Sequence, residues 1–244
     1  EYTRSDHLVF GIEYNNTDSS RFSLEAFNKK YYNYPVSVND MVSLANKGGD
    51  FEVLGNEDVS TSGRGKSYGI EFLYQQKLKN NFYGILSYTF FYSKFSGFDE
   101  VFLPSVWDNR NLISFTGGYK LKKNWEISSK LRFTDKTPYA PINNKLSSQS
   151  YPEIVFDYSQ LGNYYLDSFL KLDVRIDKRW NFKTTSMNFY IDIENLLLNE
   201  IPVPPEYGLE RDKNQNILFP RNLIEVESDN RNSIIPSIGF VFDF

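Results

Sequence analysis

Hydrophobic and polar residues alternate along most of the chain, which indicates β-strands, because successive side chains of a strand point to opposite faces. In the stretch SYGIEFLYQQ, Tyr68, Ile70 and Phe72 share one face. The residues between them, Gly69 and Glu71, share the other. Helical periodicity is scarce. The alternation predicts nine strands, at residues 5–15, 21–34, 67–78, 82–96, 110–121, 125–134, 166–177, 187–198 and 233–244.

Alternation leaves open which face meets water. One interpretation is a soluble β-sandwich, in which the apolar faces of two sheets pack together. The other is a membrane barrel, with apolar faces toward lipid and polar faces toward a lumen. Several predicted strands run for ten residues or more. Strands of globular proteins cluster near about five or six residues, whereas a tilted membrane strand needs about 9–11, so strand length favours the barrel.

The connections between the predicted strands also favour a barrel, because short and long ones alternate. The long connections carry an excess of Asp and Glu, and the short ones an excess of Lys and Arg. Outer-membrane barrels have short periplasmic turns and long extracellular loops, whereas a sandwich has no reason to sort charge by end. The short connections are residues 16–20, 79–81, 122–124 and 178–186, and the long ones are 35–66, 97–109, 135–166 and 199–232.

We therefore predict an all-β fold, a transmembrane antiparallel β-barrel, since only a closed barrel satisfies every strand hydrogen bond in hydrocarbon. Aromatic residues near the strand ends would then form girdles at the two membrane interfaces. For any one of them, packing against a neighbouring strand is an equally good interpretation. These residues are Tyr14, Tyr68, Phe82, Tyr92, Trp125 and Phe133.

Composition excludes several other classes of protein. The 27 basic and 31 acidic residues nearly balance, so no nucleic acid is predicted as a partner. The chain has no cysteine, which excludes disulfides and thiolate metal sites, and no glycine-rich phosphate loop, so no cofactor is predicted. No window approaches the ~20 apolar residues of a membrane helix. The first residues, EYTRSDHLVF, resemble neither a signal peptide nor an initiator start, so we expect a piece of a longer protein.

The last eight residues, SIGFVFDF, form a predicted strand with large apolar side chains at alternate positions. Soluble domains more often end in a loosely packed tail. The segment resembles the assembly signal on the last strand of bacterial outer-membrane barrels, with Ser237, Gly239, Phe242 and Phe244 at its defining positions. We expect the barrel-assembly machinery to bind it by strand addition. Phe244 would then face lipid at the periplasmic interface. Because single-chain bacterial barrels have an even number of strands, nine predicted strands indicate either one further strand within the chain or strands upstream of it, and the first residues favour strands upstream.

A series of local signatures, in order along the whole chain, resembles the C-terminal barrel half of TonB-dependent outer-membrane receptors, particularly the Bacteroidetes type. The strand EYTRSDHLVFGIEY resembles one of the family's strands through its His and Gly positions. Further strands of the family are similar to GRGKSYGIEF and its partner YGILSYTFFYSK. Another strand pair and a loop of the family are similar to WDNRNLISFTGGYKLKKNWEIS and TPYAPIN. YYLDSFLKLDVRIDKRW and YIDIENLLLNE resemble the strands that follow. Asn111 and Thr137 depart from the family, which often has His and Gly there.

The resemblance implies that residues 1–244 are the C-terminal part of an outer-membrane β-barrel, about the last nine strands of a 22-stranded barrel. It implies import of a scarce nutrient, such as a siderophore, vitamin, glycan or peptide, with energy from the inner-membrane TonB complex. The expected partners are an N-terminal plug and upstream strands, TonB through the missing N-terminal region, the barrel-assembly machinery, a surface lipoprotein, and lipid or lipopolysaccharide. The expected location is the bacterial outer membrane, and no enzyme activity is expected.

Candidate chemistry is sparse, and each candidate has a structural alternative. His7, the only histidine, is interpreted as a lumen-facing residue at the rim; the alternative is the base of an outer-membrane hydrolase, oriented by Asp6 or a serine. Two acidic clusters could bind calcium, but we favour solvated loops that keep the outer rim negative. The clusters are Glu57 with Asp58, and Glu225 with Glu227 and Asp229.

Ligand contacts are expected from the long loops and upper lumen, because loops on a rigid scaffold carry binding. Trp107, Tyr139 and Tyr207 are predicted to stack on sugar rings or catechols; packing between loops is the alternative, and Tyr31, Tyr32 and Tyr34 are further candidates. The lumen charges are expected to pair with one another and to bind the plug. They are Glu71, Lys130, Arg132, Lys171, Asp173, Arg175, Asp192 and Glu194.

Three other functions compete with the transporter. A complete small barrel of about eight or ten strands would have a structural or adhesive role. An outer-membrane hydrolase would use His7. A soluble sandwich would bury the apolar faces between two sheets.

Overall fold

A computed structural model describes residues 1–16, 19–48, 57–226 and 233–244. Strands dominate these ranges, with only short helical segments. The helical segments are α1 (Leu44–Lys47), α2 (Asn144–Ser150) and two single 3-10 turns at Lys122–Asn124 and Tyr158–Gln160. The strands are β1 (Arg4–Asn16), β2 (Ser20–Ser37), β3 (Val59–Lys79), β4 (Phe82–Ser96), β5 (Phe102–Pro104), β6 (Asn111–Lys120), β7 (Trp125–Thr134), β8 (Pro138–Tyr139), β9 (Tyr164–Tyr165), β10 (Phe169–Asn181), β11 (Ser186–Glu194), β12 (Glu206–Leu209), β13 (Leu223–Val226) and β14 (Ile235–Asp243).

One antiparallel sheet contains all nine predicted strands, which are confirmed. Its order is β1-β2-β3-β4-β6-β7-β10-β11-β14, with β5 added beside β4. Each long strand therefore pairs with the next long strand along the chain, as in an up-and-down barrel wall. In the described residues no pairing joins β1 to β14, so the sheet is an open portion of a barrel.

The structure differs from the prediction mainly at strand ends. β3 begins at Val59 rather than residue 67, because its first residues pair with the end of β2 although VSTSGRG carries no apolar alternation. The five short strands in the long connections, β5, β8, β9, β12 and β13, were not predicted, since segments of two to four residues are too short to show a period.

The register places hydrophobic and polar residues in alternating rows across the sheet. Residues directly opposite each other on paired strands point to the same face. One row contains Tyr14, Phe22, Tyr74, Leu86, Phe115, Leu131 and Leu172. The adjacent row, on the other face, contains Glu13, Ser23, Leu73, Ser87, Ser114, Arg132 and Lys171. We call the two sides of the sheet the apolar face and the polar face.

No second sheet covers the apolar face within the described residues. Ile12 is 56% exposed, Ile70 43% and Phe240 69%. Phe242, which a sandwich would bury, is 55% exposed. The buried apolar side chains lie instead in the long connections and at the strand ends beside them: Val36, Val42, Ala45, Phe95, Leu161, Leu209 and Leu223. The sheet is therefore a barrel wall, and the sandwich interpretation is wrong.

The two ends of the sheet differ as the sequence predicted. Short turns join β1 to β2, β3 to β4, β6 to β7 and β10 to β11 at one end, and the long connections gather at the other. The last strand ends on the short-turn side, where Asp243 lies opposite Ser186. Among the described helices, none has the length and apolar character to cross a membrane.

Candidate functional site

The long connections after β2 and β4 fold together into a cap at the long-connection end of the sheet. The Asn46 side chain of α1 donates to the carbonyl oxygens of Leu103 and Pro104, at 3.1 and 3.0 Å. The Val106 amide donates to the Ala45 carbonyl at 3.2 Å, and Ala45 is buried. The ends of these strands are thus bound to each other through their loops, which gives the cap a defined shape.

An ionic cluster at Lys47 fastens the first long connection. The Lys47 ammonium lies 2.6 Å from an Asp40 carboxylate oxygen and also binds Glu57, which accepts in addition from the Ser37 hydroxyl. Although burial opposes its charged form, the hydrogen bonds from Lys47 and Ser37 lower the pKa of Glu57. The expectation of a solvated Glu57 is therefore wrong, because Lys47 holds this carboxylate in a half-buried ion pair.

The acidic clusters do not assemble a metal site among the described residues. Asp58 is exposed, while Glu57 binds Lys47. Glu225 lies on β13, but Glu227 and Asp229 fall outside the described residues. In the described ranges, no three His, Cys, Asp or Glu side chains come together as metal ligands would.

Tyr139 and Tyr207, predicted as ligand contacts, lie close together. Tyr139 belongs to the β8–β9 hairpin, where its ring meets that of Tyr164 edge to face at 6.1 Å. Tyr207 pairs with Glu225 across the β12–β13 hairpin. Burial, together with the Glu225 carboxylate, raises the pKa of Tyr139, and burial together with Tyr139 raises that of Tyr207. The two phenols therefore lie near the same Glu225 carboxylate.

Trp107, the third predicted contact, lies in the connection after β5 and is 54% exposed. Its neighbour Asp108 is buried and accepts from the Ser93 amide at 2.9 Å, and burial raises the pKa of this carboxyl. The Arg110 guanidinium lies 3.8 Å from the centre of the Tyr92 ring. These contacts fix the backbone next to Trp107. Within the described residues, no ring contact joins Trp107 to Tyr139 or Tyr207.

The polar face carries the predicted charges, and several of them pair. The Lys171 ammonium lies 2.9 Å from Glu194 and 3.5 Å from Asp173. The Arg175 guanidinium lies 2.9 Å from Asp177. Concavities of the sheet surface open on this face near these residues. The prediction of mutual pairing is thus confirmed for three of the predicted lumen charges, Lys171, Asp173 and Glu194, and a fourth, Arg175, pairs with Asp177.

The rest of the predicted lumen charges are differently placed. Lys130 and Arg132 lie on β7, Glu71 on β3 and Asp192 on β11, and no ion pair within the described residues includes them. Glu71 lies directly opposite Glu25 of β2. Lys130 lies directly opposite Asp173, and Asp192 opposite Arg175, so each of these two has an opposite charge as its cross-strand neighbour.

The last strand places the four predicted assembly residues along its length. Ser237 and Gly239 lie on the polar face, opposite Asp192 and Tyr190 of β11. Phe242 points to the apolar face opposite Met187, and Phe244 follows the end of the strand fully exposed. The Tyr190 ring covers Gly239 so closely that a β-carbon there would lie 2.3 Å from ring atoms.

His7 and Asp6 do not form a catalytic pair. As neighbours in β1, they point to opposite faces of the sheet. Asp6 binds Arg4 at 2.9 Å, whereas the His7 ring contacts Tyr31 edge to face at 6.1 Å. His7 is exposed near the long-connection end of the polar face, as its rim interpretation predicts.

Tyr31 and Tyr34, named from the sequence as further candidates for ligand contacts, belong to a larger aromatic group on the polar face whose other members were not predicted. We call it the aromatic wall, and it consists of Phe27, Tyr31, Tyr34, Phe91 and Phe95. Its rings lie on the upper parts of β2 and β4, where the polar face approaches the long connections. The odd-numbered alternation of Phe27, Tyr31, Phe91 and Phe95 is a signal present in the sequence, since it puts aromatic rings on the same face as Glu25 and Glu71.

A comparison with known families matches residues 3–196 to the family described as TonB dependent receptor-like, beta-barrel. No curated protein matches the chain in sequence. Among solved structures, the chain is similar to the ferric citrate transporter FecA in its unliganded form, with a TM-score of 0.59 and 12% identity over 98% of this chain and 31% of that one. These identities are low, so this likeness concerns the fold.

Two further solved structures are similar over most of the chain. The ferripyoverdine receptor of the outer membrane of Pseudomonas aeruginosa, bound to ferripyoverdine, gives a TM-score of 0.57 and 14% identity over 91% of this chain and 26% of that one. The siderophore receptor PiuA from Acinetobacter baumannii gives 0.55 and 12% identity over 98% of this chain and 28% of that one. The chain therefore spans less than a third of the length of the three proteins.

Proposed function

The chain belongs to the family of TonB-dependent receptor-like β-barrels, and we propose that it is part of an outer-membrane transporter that imports a scarce nutrient with energy from the TonB complex. The observation that carries the proposal is the two-faced sheet. Its apolar face is left uncovered by the described residues, as a surface toward lipid requires, and its polar face carries paired charges, as a lumen requires.

The remainder of the transporter would lie upstream. The chain spans 26 to 31% of the three solved proteins it resembles. Residues 1–244 would supply about the last nine strands of a 22-stranded barrel, and the earlier strands and a plug would make up the remainder. Upstream strands would pair with the free edge of β1. An N-terminal plug would fill the lumen and meet the charges of the polar face, and the region before it would bind TonB. The sequence signatures of residues 1–244 favour a receptor of the Bacteroidetes type, and a surface lipoprotein would be a further partner.

The last strand would direct assembly into the bacterial outer membrane. Ser237, Gly239, Phe242 and Phe244 are proposed to bind the barrel-assembly machinery, which would add the free edge of β14 to an open sheet edge. The exposed apolar rings near the strand ends would then contact lipid or lipopolysaccharide.

The nutrient would bind at the long-connection end. Tyr139 and Tyr207 support this because two phenols converge beside the Glu225 carboxylate. Trp107 supports it through its exposed ring. The three similar structures are receptors or transporters of ferripyoverdine, ferric citrate and siderophores. A siderophore is therefore the first class to test for this chain, with vitamins, glycans and peptides after it.

Whole-cell uptake tests this function. Cells that make the complete receptor are given ⁵⁵Fe as ferric citrate, ⁵⁵Fe as its 2,3-dihydroxybenzoate complex, or ⁵⁷Co-cyanocobalamin, with and without a functional TonB. We expect uptake of at least one probe that disappears when TonB is lost. Recovery of the protein in the outer membrane without TonB-dependent uptake or TonB-dependent growth on glycans and peptides would favour the structural or adhesive role instead.

A further inference from the structure

The aromatic wall contradicts the polarity of the face on which it lies. Lower on the same face the rows contain Glu13, Glu25 and Glu71. Two residues from Glu71 along β3 the face becomes aromatic, with Phe27 and Phe91 on either side of Gly69. Four residues beyond that, Tyr31 and Phe95 lie on either side of Gly65. A water-filled lumen gives no reason to expose rings inward, and contiguous apolar surface of this kind marks a binding site.

Three rings of the wall, those of Tyr31, Tyr34 and Phe95, touch one another. The Phe95 ring lies 4.6 Å from that of Tyr34 and 5.4 Å from that of Tyr31, and the two tyrosine rings meet edge to face at 6.2 Å. Phe95 is 5% exposed and forms the floor, because Gly65 has no side chain and the ring lies directly on its backbone. Tyr31 and Tyr34 are partly exposed and present their rings above this floor.

An irregularity in β2 creates this arrangement. Residues three apart in a regular strand point to opposite faces, so Tyr31 and Tyr34 would ordinarily diverge. The pairing of β2 with β3 shifts between these two residues, and Asn33 adopts a φ of 53°. The shift brings Tyr34 onto the face of Tyr31. Such bulges commonly re-aim a side chain near a functional site.

A cation lies within the wall. Lys29 occupies the row between Phe27 and Tyr31, opposite His7 and Ser67. Its ammonium lies 5.0 Å from the centre of the Phe27 ring, and within the described residues no carboxylate forms an ion pair with it. An ammonium held over an aromatic ring without a counter-ion complements an anionic ligand.

We propose that the aromatic wall and Lys29 form a binding site for a small ligand that carries both an aromatic ring and a negative charge. The proposal rests on the transporter function, since it assigns a substrate class to the upper lumen. The ring would stack on Tyr31 and Tyr34 above the Phe95 floor, and the anionic group would bind the Lys29 ammonium. The wall lies toward the long-connection ends of β2 and β4, the side from which an external ligand would enter.

The test compares neighbouring residues that point to opposite faces. Tyr31→Leu and Tyr34→Leu remove rings of the wall, whereas Tyr32→Leu removes a ring from the other face, where Tyr32 contacts Arg4. Lys29→Gln removes the central cation, and Lys30→Gln removes a cation opposite Asp6 on the other face. Each variant is made in the complete receptor, and the amount of folded protein in the outer membrane is measured first.

Binding is measured with two anionic iron chelates, the ⁵⁵Fe complex of 2,3-dihydroxybenzoate, which is aromatic, and ferric citrate, which is not. We expect the wild type to bind the aromatic chelate more tightly. Loss of either ring should weaken that binding about two- to tenfold. Lys29→Gln should weaken it as well, and the Tyr32 and Lys30 variants should match the wild type.

Several results would overturn the proposal. Equal affinities of all variants, or no preference of the wild type for the aromatic chelate, would do so. If the wall variants instead admit large hydrophilic antibiotics while probe affinity stays unchanged, the wall holds the plug and not a ligand. In each of these cases TonB-dependent uptake of another probe would leave the transporter function standing, so the two failures are distinguishable.

Discussion

Gly239 lies beneath an aromatic ring that also contacts a guanidinium. The Arg175 guanidinium lies 3.8 Å from the centre of the Tyr190 ring, and atoms of the same ring cover Gly239. The glycine of the proposed assembly signal is therefore also required for packing in the finished sheet. A sequence signature and a steric requirement coincide at this residue.

We predict that Gly239→Ala lowers the stability of the assembled barrel by about 1–3 kcal/mol, the usual range for overpacking. The new methyl group would displace the Tyr190 ring from Arg175. The measurement is the temperature at which the barrel loses its folded mobility in gel electrophoresis. If packing is the cause, adding Tyr190→Ser to the Gly239→Ala variant should restore the thermal stability of the barrel. The Tyr190→Ser variant alone is the control. A defect that persists in the double variant, with little protein reaching the membrane, would assign the glycine to recognition alone.

At the level of single strands, β3 separates the two faces at adjacent positions. Phe72 lies between Leu24 and Tyr88 on the apolar face, and Leu73 lies between Ser23 and Ser87 on the polar face. Both residues are large and apolar, so composition does not distinguish them. Only the direction of the side chain decides whether a charge at that position would meet lipid or water.

We predict that Phe72→Arg destabilises the barrel by about 2–4 kcal/mol, the cost of a cation on the lipid face near the bilayer midplane. Leu73→Arg should be tolerated, because its guanidinium would enter an aqueous lumen near Glu25 and Glu71. Urea unfolding in lipid vesicles, or the yield of folded protein in the outer membrane, measures the difference. Equal costs for the two variants would contradict the assignment of the faces.

At the scale of the whole molecule, the described sheet has two unpaired edges. β1 pairs only with β2, and β14 only with β11. Each unpaired edge presents a row of N–H and C=O groups, and hydrocarbon offers these groups no partner. In a membrane, the described sheet would therefore need partners for both edges, and we propose that upstream strands supply them.

We predict that residues 1–244 alone do not form a sealed, transporting barrel. Expressed by themselves with an export signal, they should give no heat-modifiable monomer in the outer membrane and no TonB-dependent uptake. Supplying the upstream strands and plug as a separate polypeptide should restore a folded species. A sealed, ligand-importing barrel made from these residues alone would refute the prediction.

Sequence reasoning located all nine long strands and both faces, because a period of two survives even where local composition is ambiguous. It also identified the asymmetry of the two ends from connection lengths and charge. It did not find the pairing of Lys47 with Glu57 or the convergence of Tyr139 and Tyr207, since these residues are brought together by loops without periodicity. It named Tyr31 and Tyr34 as candidates, but a bulge at Asn33 decides that they share a face.

The sequence by itself determined the local properties of this protein: which segments are strands, which side of each strand is apolar, and how the chain ends. These follow from the geometry of one strand and need no neighbour. The tertiary structure alone decided which residues meet across strands and loops, such as Phe95 with Tyr34 and Tyr190 with Gly239. Those contacts depend on strand register and on the paths of the loops. A shift of one residue in the register of a strand would move all of its side chains to the other face.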